Sequence, residues 1–332
     1  MSQGPILVTG GAGYIGSHVC HALKQRGYTP ITLDNLSRGH RAAAKFGPLI
    51  EGNIGDSALI QKICAEYKPI AAMHFAALIE VGESVRFPDL FMDNNTAKAK
   101  KLFETLQTDG VNKVVFSSTA AVYGMPDRPG VIAEDWPLKP INPYGESKLQ
   151  AEQHLRNIQG MRSVALRYFN AAGALPEQEL GEAHWPESHL VPNALLAVLG
   201  HKAEGLTIFG QDYPTSDGTA VRDYIHVLDL AEAHILALEY LLKGGGNTAI
   251  NLGTGTGISV KEIVDTIAAV TGKPVPLTYG ARRPGDSAFL VADNQKAKTT
   301  LNWQPKLGLR EIIASAHAWH ASPLYRKLVG LA

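Results

Sequence analysis

The segment TGGAGYIG at residues 9–16 constrains the fold of this chain more than any other feature. Gly10, Gly13 and Gly16 follow a short apolar run at residues 6–8 and open a stretch of helical period at residues 15–26. Glycines in this context let the backbone turn tightly between a strand and a helix and approach a pyrophosphate at the helix amino terminus. Although the spacing is GxxGxxG rather than GxGxxG, the segment predicts a dinucleotide-binding turn.

The chain continues with alternating strand-like and helix-like segments as far as about residue 172. This alternation predicts an α/β fold with a Rossmann-type, doubly wound parallel sheet. The further predicted strands are 30–33, 49–54, 70–75, 114–117 and 164–168, and the further predicted helices are 57–67, 90–108 and 144–157.

The length of 332 residues exceeds what a single core usually supports. Beyond residue 172 the pattern is irregular, with polar loops at 176–186 and 210–218 before a helix at 229–242 that three glycines end. We therefore expect a Rossmann domain at 1–172, to which a segment near 221–250 returns. Residues 173–332 should form mainly a smaller, mixed α/β substrate domain.

The composition argues against several classes of function. Basic and acidic residues number 31 each, which gives no reason to expect capture of nucleic acid or an anionic membrane. No secretory leader or membrane-length apolar run is apparent, so a cytoplasmic location is expected. Cys20 and Cys64 fall in predicted helices and should be reduced and packed. The 12 histidines include no HExxH motif, so no metal site is expected.

Asp34 ends the second predicted strand and favours NAD over NADP. A carboxylate at this position accepts hydrogen bonds from the adenosine ribose hydroxyls and repels a 2′-phosphate. Arg38 lies nearby, and a basic residue there could instead accommodate NADP.

Tyr144 and Lys148 are predicted to lie one turn apart on one face of a helix that begins at Pro143. A lysine ammonium and a cationic nicotinamide both favour the phenolate form of a tyrosine, which makes the pair a candidate general base. Thr119 follows the strand at 114–117, where its hydroxyl can hydrogen-bond a reacting hydroxyl. A YxxxK pair alone is a weak signal, but here it follows a dinucleotide-binding turn.

Six segments together resemble the UDP-glucose 4-epimerases (UDP-galactose 4-epimerases) of the extended short-chain dehydrogenase/reductase superfamily. The resemblance covers essentially the whole chain and is carried by residues 8–18, 33–37, 116–124, 142–148, 166–170 and 221–227.

The resemblance implies reversible epimerisation of UDP-glucose and UDP-galactose at C4 through a 4-keto sugar, with hydride held on tightly bound NAD. Tyr144 would be the base, with Lys148 and Thr119 as the other catalytic residues, and the enzyme would be a homodimer packed through helices 90–108 and 144–157. The implied cofactor-binding residues are Gly10, Gly13, Tyr14, Ile15, Gly16, Asp34, Asn35, Leu36, Ser37, Asn53, Ile54, Phe75, Ala76, Ala77, Asn94, Ser117, Tyr144, Lys148 and Phe169. The implied substrate-binding residues are Thr119, Tyr144, Asn170, His189, Leu190, Thr207, Phe209, Arg222, Arg283 and Asp286.

Four positions depart from the family pattern. Asn53 stands where an aspartate is common, Ile79 where a lysine often holds the cofactor, and His189 where many members have asparagine. Leu290 occupies a wall position that is often tyrosine, and this smaller side chain suggests that UDP-N-acetylhexosamines are also accepted.

Two alternatives differ in the chemistry of the same scaffold. A 4,6-dehydratase needs an acid pair after the threonine, whereas Thr119 is followed by Ala120 and Ala121, which favours epimerisation. The sequence does not exclude the second alternative, a uronate 4-epimerase. A third alternative is a non-catalytic NAD-sensing regulator, against which the retention of Tyr144, Lys148 and Thr119 argues.

Overall fold

In a computed structural model that describes residues 3–125, 130–283 and 285–331, a parallel seven-stranded sheet forms the centre of the molecule. The strands of the described residues are β1 (Pro5–Thr9), β2 (Thr29–Asp34), β3 (Leu49–Glu51), β4 (Ala71–His74), β5 (Lys113–Thr119), β6 (Arg162–Tyr168), β7 (Asn170–Ala172), β8 (Leu206–Phe209), β9 (Val221–Arg222), β10 (Tyr224–His226), β11 (Thr248–Leu252), β12 (Ile258–Ser259), β13 (Leu277–Gly280) and β14 (Phe289–Leu290). The central sheet has the order β11-β6-β5-β4-β1-β2-β3. Its strand order reverses direction between β1 and β4, which is where open α/β sheets bind ligands.

The helices of the described residues pack on both faces of this sheet and in the part of the chain after β7. They are α1 (Tyr14–Gln25), α2 (Ser57–Tyr67), α3 (Val81–Arg86), α4 (Pro88–Phe91), α5 (Lys98–Thr108), α6 (Pro143–Asn157), α7 (Leu190–Val198), α8 (Val227–Leu242), α9 (Val260–Thr271), α10 (Gln295–Leu301), α11 (Leu309–His320) and α12 (Pro323–Val329). Successive side chains of β1 alternate between the faces: Ile6 and Val8 join a core with α1 and α8, whereas Leu7 joins a core with α2, α5 and α6. The fold class predicted from the sequence is confirmed.

The part of the chain after β7 builds a second apolar core on α7, α9, α11 and β8. Its short strands pair locally, β13 with β8 and both β12 and β14 with β9. β11 instead returns to the central sheet beside β6, and α8 packs against α1. The division into domains, with a returning segment near 221–250, stays a prediction.

The predicted elements of the first half are present with small shifts in their ends. The strand predicted at 49–54 was too long, because β3 ends at Glu51 and Asn53 then turns the chain by accepting a hydrogen bond from the Gly55 amide at 2.9 Å. The helix predicted at 90–108 is α4 and α5 joined through a π-helical turn at Met92–Ala97.

The second half is more regular than the sequence suggested. Helices α7, α9 and α11 are all absent from the sequence prediction, although each contributes buried residues to the core of that part of the chain. Cys20 and Cys64 lie in α1 and α2 and are both buried and unpaired with each other, as expected. None of the helices within the described ranges is long and apolar enough to cross a membrane.

Candidate active site

A cleft of about 1090 Å³ opens at the carboxyl ends of β1 and β4 and is closed on its other side by the part of the chain after β7. Every cofactor and substrate residue suggested by the sequence lines this cleft except Leu36. The backbone amide of Leu36 instead donates to Asp34 Oδ1 at 2.8 Å, so its contribution is to hold the acidic residue.

The glycine loop leaves no room for side chains. Gly10 has a φ of +76°, and a Cβ there would lie 2.5 Å from the Ala76 nitrogen. A Cβ on Gly16 would lie 2.2 Å from the Gly10 carbonyl oxygen. The Gly13 amide donates to that same oxygen at 3.1 Å, which closes the loop ahead of α1. The loop therefore presents bare backbone and the amino end of α1 to the cleft, as a diphosphate requires.

We expect Gly16→Ala to lower retention of a dinucleotide at least tenfold and to destabilise the fold by about 1–3 kcal/mol, because the new methyl group must displace the loop. The measurement is the nucleotide released per protein chain after gel filtration and heat denaturation. Gly246→Ala is the matched control, since a Cβ there meets no heavy atom within 4 Å. Equal nucleotide content in both variants would contradict the assignment of this loop.

Asp34 is buried at the carboxyl end of β2, and its pKa is raised by burial. Its Oδ2 accepts from the Ala12 amide at 3.0 Å, which ties the carboxylate to the glycine loop. Each carboxylate oxygen can accept a further hydrogen bond, so ribose hydroxyls can still bind. Arg38 pairs with Glu83 at 3.0 Å and with Glu80 at 3.8 Å. These ion pairs engage the guanidinium that could otherwise accommodate the 2′-phosphate of NADP.

The catalytic candidates converge on the cleft from β5 and α6. Thr119 is the last residue of β5, and its hydroxyl hydrogen-bonds the Tyr144 hydroxyl. Asn142 caps α6 by accepting from the Gly145 amide at 2.8 Å, and Pro143 fills the first helical position. These end signals fix the helical register that aims Tyr144 and Lys148 into one cleft.

Burial dominates the ionisation of both groups. It raises the pKa of Tyr144, an effect that the Thr119 hydrogen bond opposes and Glu80 reinforces. Burial also lowers the pKa of Lys148 to about 7, and its Nζ lies 4.9 Å from the centre of the Phe116 ring. In the protein without a bound cofactor, burial thus outweighs the lowering of the Tyr144 pKa that the sequence suggested.

The substrate residues lie on the opposite wall. Arg222 forms a close ion pair with Asp286 and donates to the Val221 carbonyl at 2.8 Å. The Arg283 guanidinium stacks on Phe209, with 4.1 Å between its Cζ and the ring centre. Two arginines held in this way present planar donors, which suit a diphosphate.

Three of the remaining substrate and cofactor residues are held by polar contacts along the cleft. Asn170 donates to the Asp223 carbonyl at 3.2 Å, and the hydroxyls of Thr207 and Thr278 lie 2.8 Å apart. Tyr14 donates to the Gly173 carbonyl at 2.7 Å, which joins the glycine-loop helix to the second half of the chain.

Several residues of the cleft wall were not predicted from the sequence, most of all Glu182, His184 and Glu187. Together with His189 they form a compact polar cluster ahead of α7. A signal was available, because four ionisable residues occur within eight positions in the order Glu-x-His-x-x-Glu-x-His. Glu80 was also missed, and only the folded chain reveals that it acts on Tyr144.

The chain belongs to the NAD dependent epimerase/dehydratase family, whose model matches residues 6–253. A UDP-glucose 4-epimerase of Rhizobium leguminosarum bv. trifolii is 52% identical over 324 residues, which cover 97% of this chain and 98% of the relative. The crystal structure of UDP-glucose 4-epimerase from Brucella ovis in complex with NAD has a TM-score of 0.92 and 46% identity, covering 95% of this chain and 97% of that one. That of the Bifidobacterium longum enzyme with NAD+ and UDP has a TM-score of 0.90 and 36% identity, covering 97% and 99%. Within the family, this chain is thus a member of the UDP-glucose 4-epimerases.

Proposed function

We propose that this protein interconverts UDP-glucose and UDP-galactose by epimerisation at C4. The observation that carries the proposal is the convergence of Thr119, Tyr144 and Lys148 on the cleft that also contains the glycine loop. A fold of this kind does not by itself define a reaction, but a positioned base beside a dinucleotide site indicates hydride transfer at a carbon that bears a hydroxyl.

The residues of the first half fit NAD. Bare backbone at Gly10 and Gly16 accepts a diphosphate, and Asp34 retains acceptor capacity for a ribose with a free 2′-hydroxyl. When bound, NAD supplies the hydride acceptor and donor, so that a 4-keto sugar can form and be reduced again from its other face.

Tyr144 is the base that takes the proton from the sugar 4-hydroxyl and later returns it. Thr119 holds the phenolic oxygen by a hydrogen bond, which favours the phenolate. Lys148 lies one turn further along α6, and in its protonated form its charge would act in the same direction. The Thr119 hydrogen bond opposes the burial that raises the pKa of Tyr144, and the positive charge of an oxidised nicotinamide would do the same.

The opposite wall anchors the nucleotide while the sugar turns over. Arg222 and Arg283 supply cationic donors for the UDP diphosphate, and Asp286 orients Arg222. Ala120 and Ala121 line the cleft at the positions where a dehydratase would carry its acid pair. Elimination of water after oxidation is therefore disfavoured relative to return of the hydride.

The test is conversion of UDP-galactose to UDP-glucose by purified protein without added NAD, followed by chromatography of the nucleotide sugars. We expect complete equilibration of substrate in large excess over protein, because each turnover restores the cofactor. Conversion that requires stoichiometric external oxidant would identify a dehydrogenase instead.

Leu290 extends the proposal to UDP-N-acetylhexosamines. It lies in β14 directly beside Arg222 in the β9–β14 pairing and lines the cleft. Leu290→Tyr would fill this part of the wall, so we expect it to lower the specificity constant for UDP-N-acetylglucosamine at least tenfold relative to UDP-glucose. Competition assays with both substrates measure this ratio. An unmodified enzyme that fails to turn over UDP-N-acetylglucosamine would remove the idea.

We further propose a homodimer in the cytoplasm. Exposed apolar side chains cluster beside the helices expected to pair, with Val85 63% and Phe87 53% exposed on the α3–α4 segment that contacts α6. An apolar patch of this kind marks an interaction site. Light scattering on a sizing column tests the dimer, and cell fractionation tests the location.

A further inference from the structure

The polar cluster of Glu182, His184, Glu187 and His189 forms one wall of the cleft ahead of α7. One ligand-type atom from each residue lies within 4.8 Å of the other three. The proposed epimerase reaction makes no use of Glu182, His184 or Glu187, so their collection at one point requires a separate explanation.

Two of the separations between ligand-type atoms of this cluster are close to those of a tetrahedral metal site. His184 Nδ1 lies 3.3 Å from Glu182 Oε1, and His189 Nδ1 lies 3.6 Å from Glu187 Oε1. His189 Nδ1 also makes a close contact with Glu182 Oε1. Ligand atoms at 2.0–2.1 Å from a tetrahedral zinc ion are about 3.3 Å apart, so the His189–Glu182 contact would have to open for the ion to bind, while the other two separations would change little.

Glu187 provides an independent indication of a ligand. Its side chain is only 2% exposed, and Oε1 accepts from the Ser188 and His189 amides at 2.7 and 2.8 Å. Oε2 is buried and accepts no hydrogen bond from the described residues. A buried carboxylate oxygen without a partner is energetically unfavourable unless a cation or donor reaches it.

The surroundings hold the cluster in place. The Trp319 indole donates to the Glu182 carbonyl at 2.7 Å, and the ring of His40 hydrogen-bonds the Ala183 carbonyl at 2.8 Å. Glu182 itself is 97% buried. Backbone fixed on both sides of a ligand limits the entropy that is lost when a metal binds.

We propose that Glu182, His184, Glu187 and His189 bind one divalent cation of the zinc class. Imidazole nitrogens and carboxylate oxygens are the ligands that zinc shares with its neighbours in the transition series, and two carboxylates balance the charge of the ion. The ion would fix segment 182–189 and the start of α7 against the cleft wall. No metal site was expected from the sequence, because the histidines include no HExxH motif and no cluster with cysteine.

The test is calorimetric titration of zinc chloride into untagged protein that has been dialysed against a chelator and then against metal-free buffer. We expect one ion per chain, and at least tenfold weaker binding in Glu187→Gln and in His184→Asn. His201→Asn is the control, because it removes a histidine outside the cluster and should leave the affinity unchanged. Binding that is equally tight in all four proteins, or absent from the unmodified protein, would overturn the proposal.

A second measurement uses the unmodified protein, so its result does not depend on whether the variants fold. Cobalt(II) added to the unmodified protein should give the visible absorption of a tetrahedral complex, which zinc then abolishes by displacement. An octahedral spectrum, or none, would contradict the proposed donor set. Neither readout depends on epimerase activity, so failure of the metal site and failure of the proposed function are distinguishable.

Discussion

Tyr144→Phe is expected to lower kcat for UDP-galactose epimerisation by about 10²–10⁴-fold, the range that loss of a positioned acid–base group produces. The substitution removes the hydroxyl that bonds Thr119 and leaves the ring in its place at the start of α6. Steady-state kinetics measure kcat, and the nucleotide content of the purified variant shows whether the cofactor is still retained. We expect retention, because the glycine loop and Asp34 are unchanged.

Tyr240→Phe is the matched control for this experiment. Tyr240 lies in α8 outside the lining of the cleft, and its hydroxyl accepts a 3.3 Å hydrogen bond from the Gly246 amide. The Tyr240→Phe substitution should leave kcat within a factor of about two of the value for the unmodified enzyme. A Tyr144→Phe variant with nearly normal kcat would remove the assignment of the base and would favour the NAD-sensing regulator over the enzyme.

Glu152→Gln is expected to reduce the free energy of unfolding by about 3–5 kcal/mol, because it leaves the charge of Arg167 buried without its partner. The Arg167 and Glu152 side chains are only 5% and 10% exposed, and their close ion pair is joined by a bond from Ser118 Oγ at 2.8 Å. Arg167 also donates to the Tyr123 hydroxyl at 2.9 Å, and this hydroxyl in turn donates to Asn251 Oδ1 at 2.7 Å. Urea denaturation followed by circular dichroism measures the loss.

The control for charge removal is Glu51→Gln, which breaks the close ion pair with Arg41; the Arg41 and Glu51 side chains are 66% and 56% exposed. Exposed pairs of this kind contribute about 0–1 kcal/mol. If the two variants lose similar amounts of stability, then water reaches the Arg167 network or the network relaxes around the glutamine, and the buried-charge argument fails.

The sequence was most informative where local chemistry determines local structure. The glycine spacing of residues 10–16, and the start of α6 at Asn142 and Pro143, depend on backbone geometry that neighbouring residues set. The first half was therefore predicted nearly element by element. Asn53 shows the limit, because its side chain ended β3 earlier than the apolar pattern suggested.

The second half was harder to predict because its strands are short and pair across long stretches of sequence. β9 and β14 have two residues each, which is too few for an alternating pattern to register, yet they bring Leu290 beside Arg222. Likewise, the sequence does not indicate a metal site in the polar cluster before α7, because the burial of Glu187 Oε2 without a hydrogen-bond partner is visible only in the folded chain. Ionisation of Tyr144 was also beyond the sequence, since it depends on burial and on Glu80.

Helix α6 carries Tyr144, Lys148 and Glu152 at successive intervals of four residues, on one face. The first two meet the cleft, and the third meets Arg167 in the interior. Since adjacent positions on a helix differ by about 100°, a slip of one residue would misdirect all three side chains together.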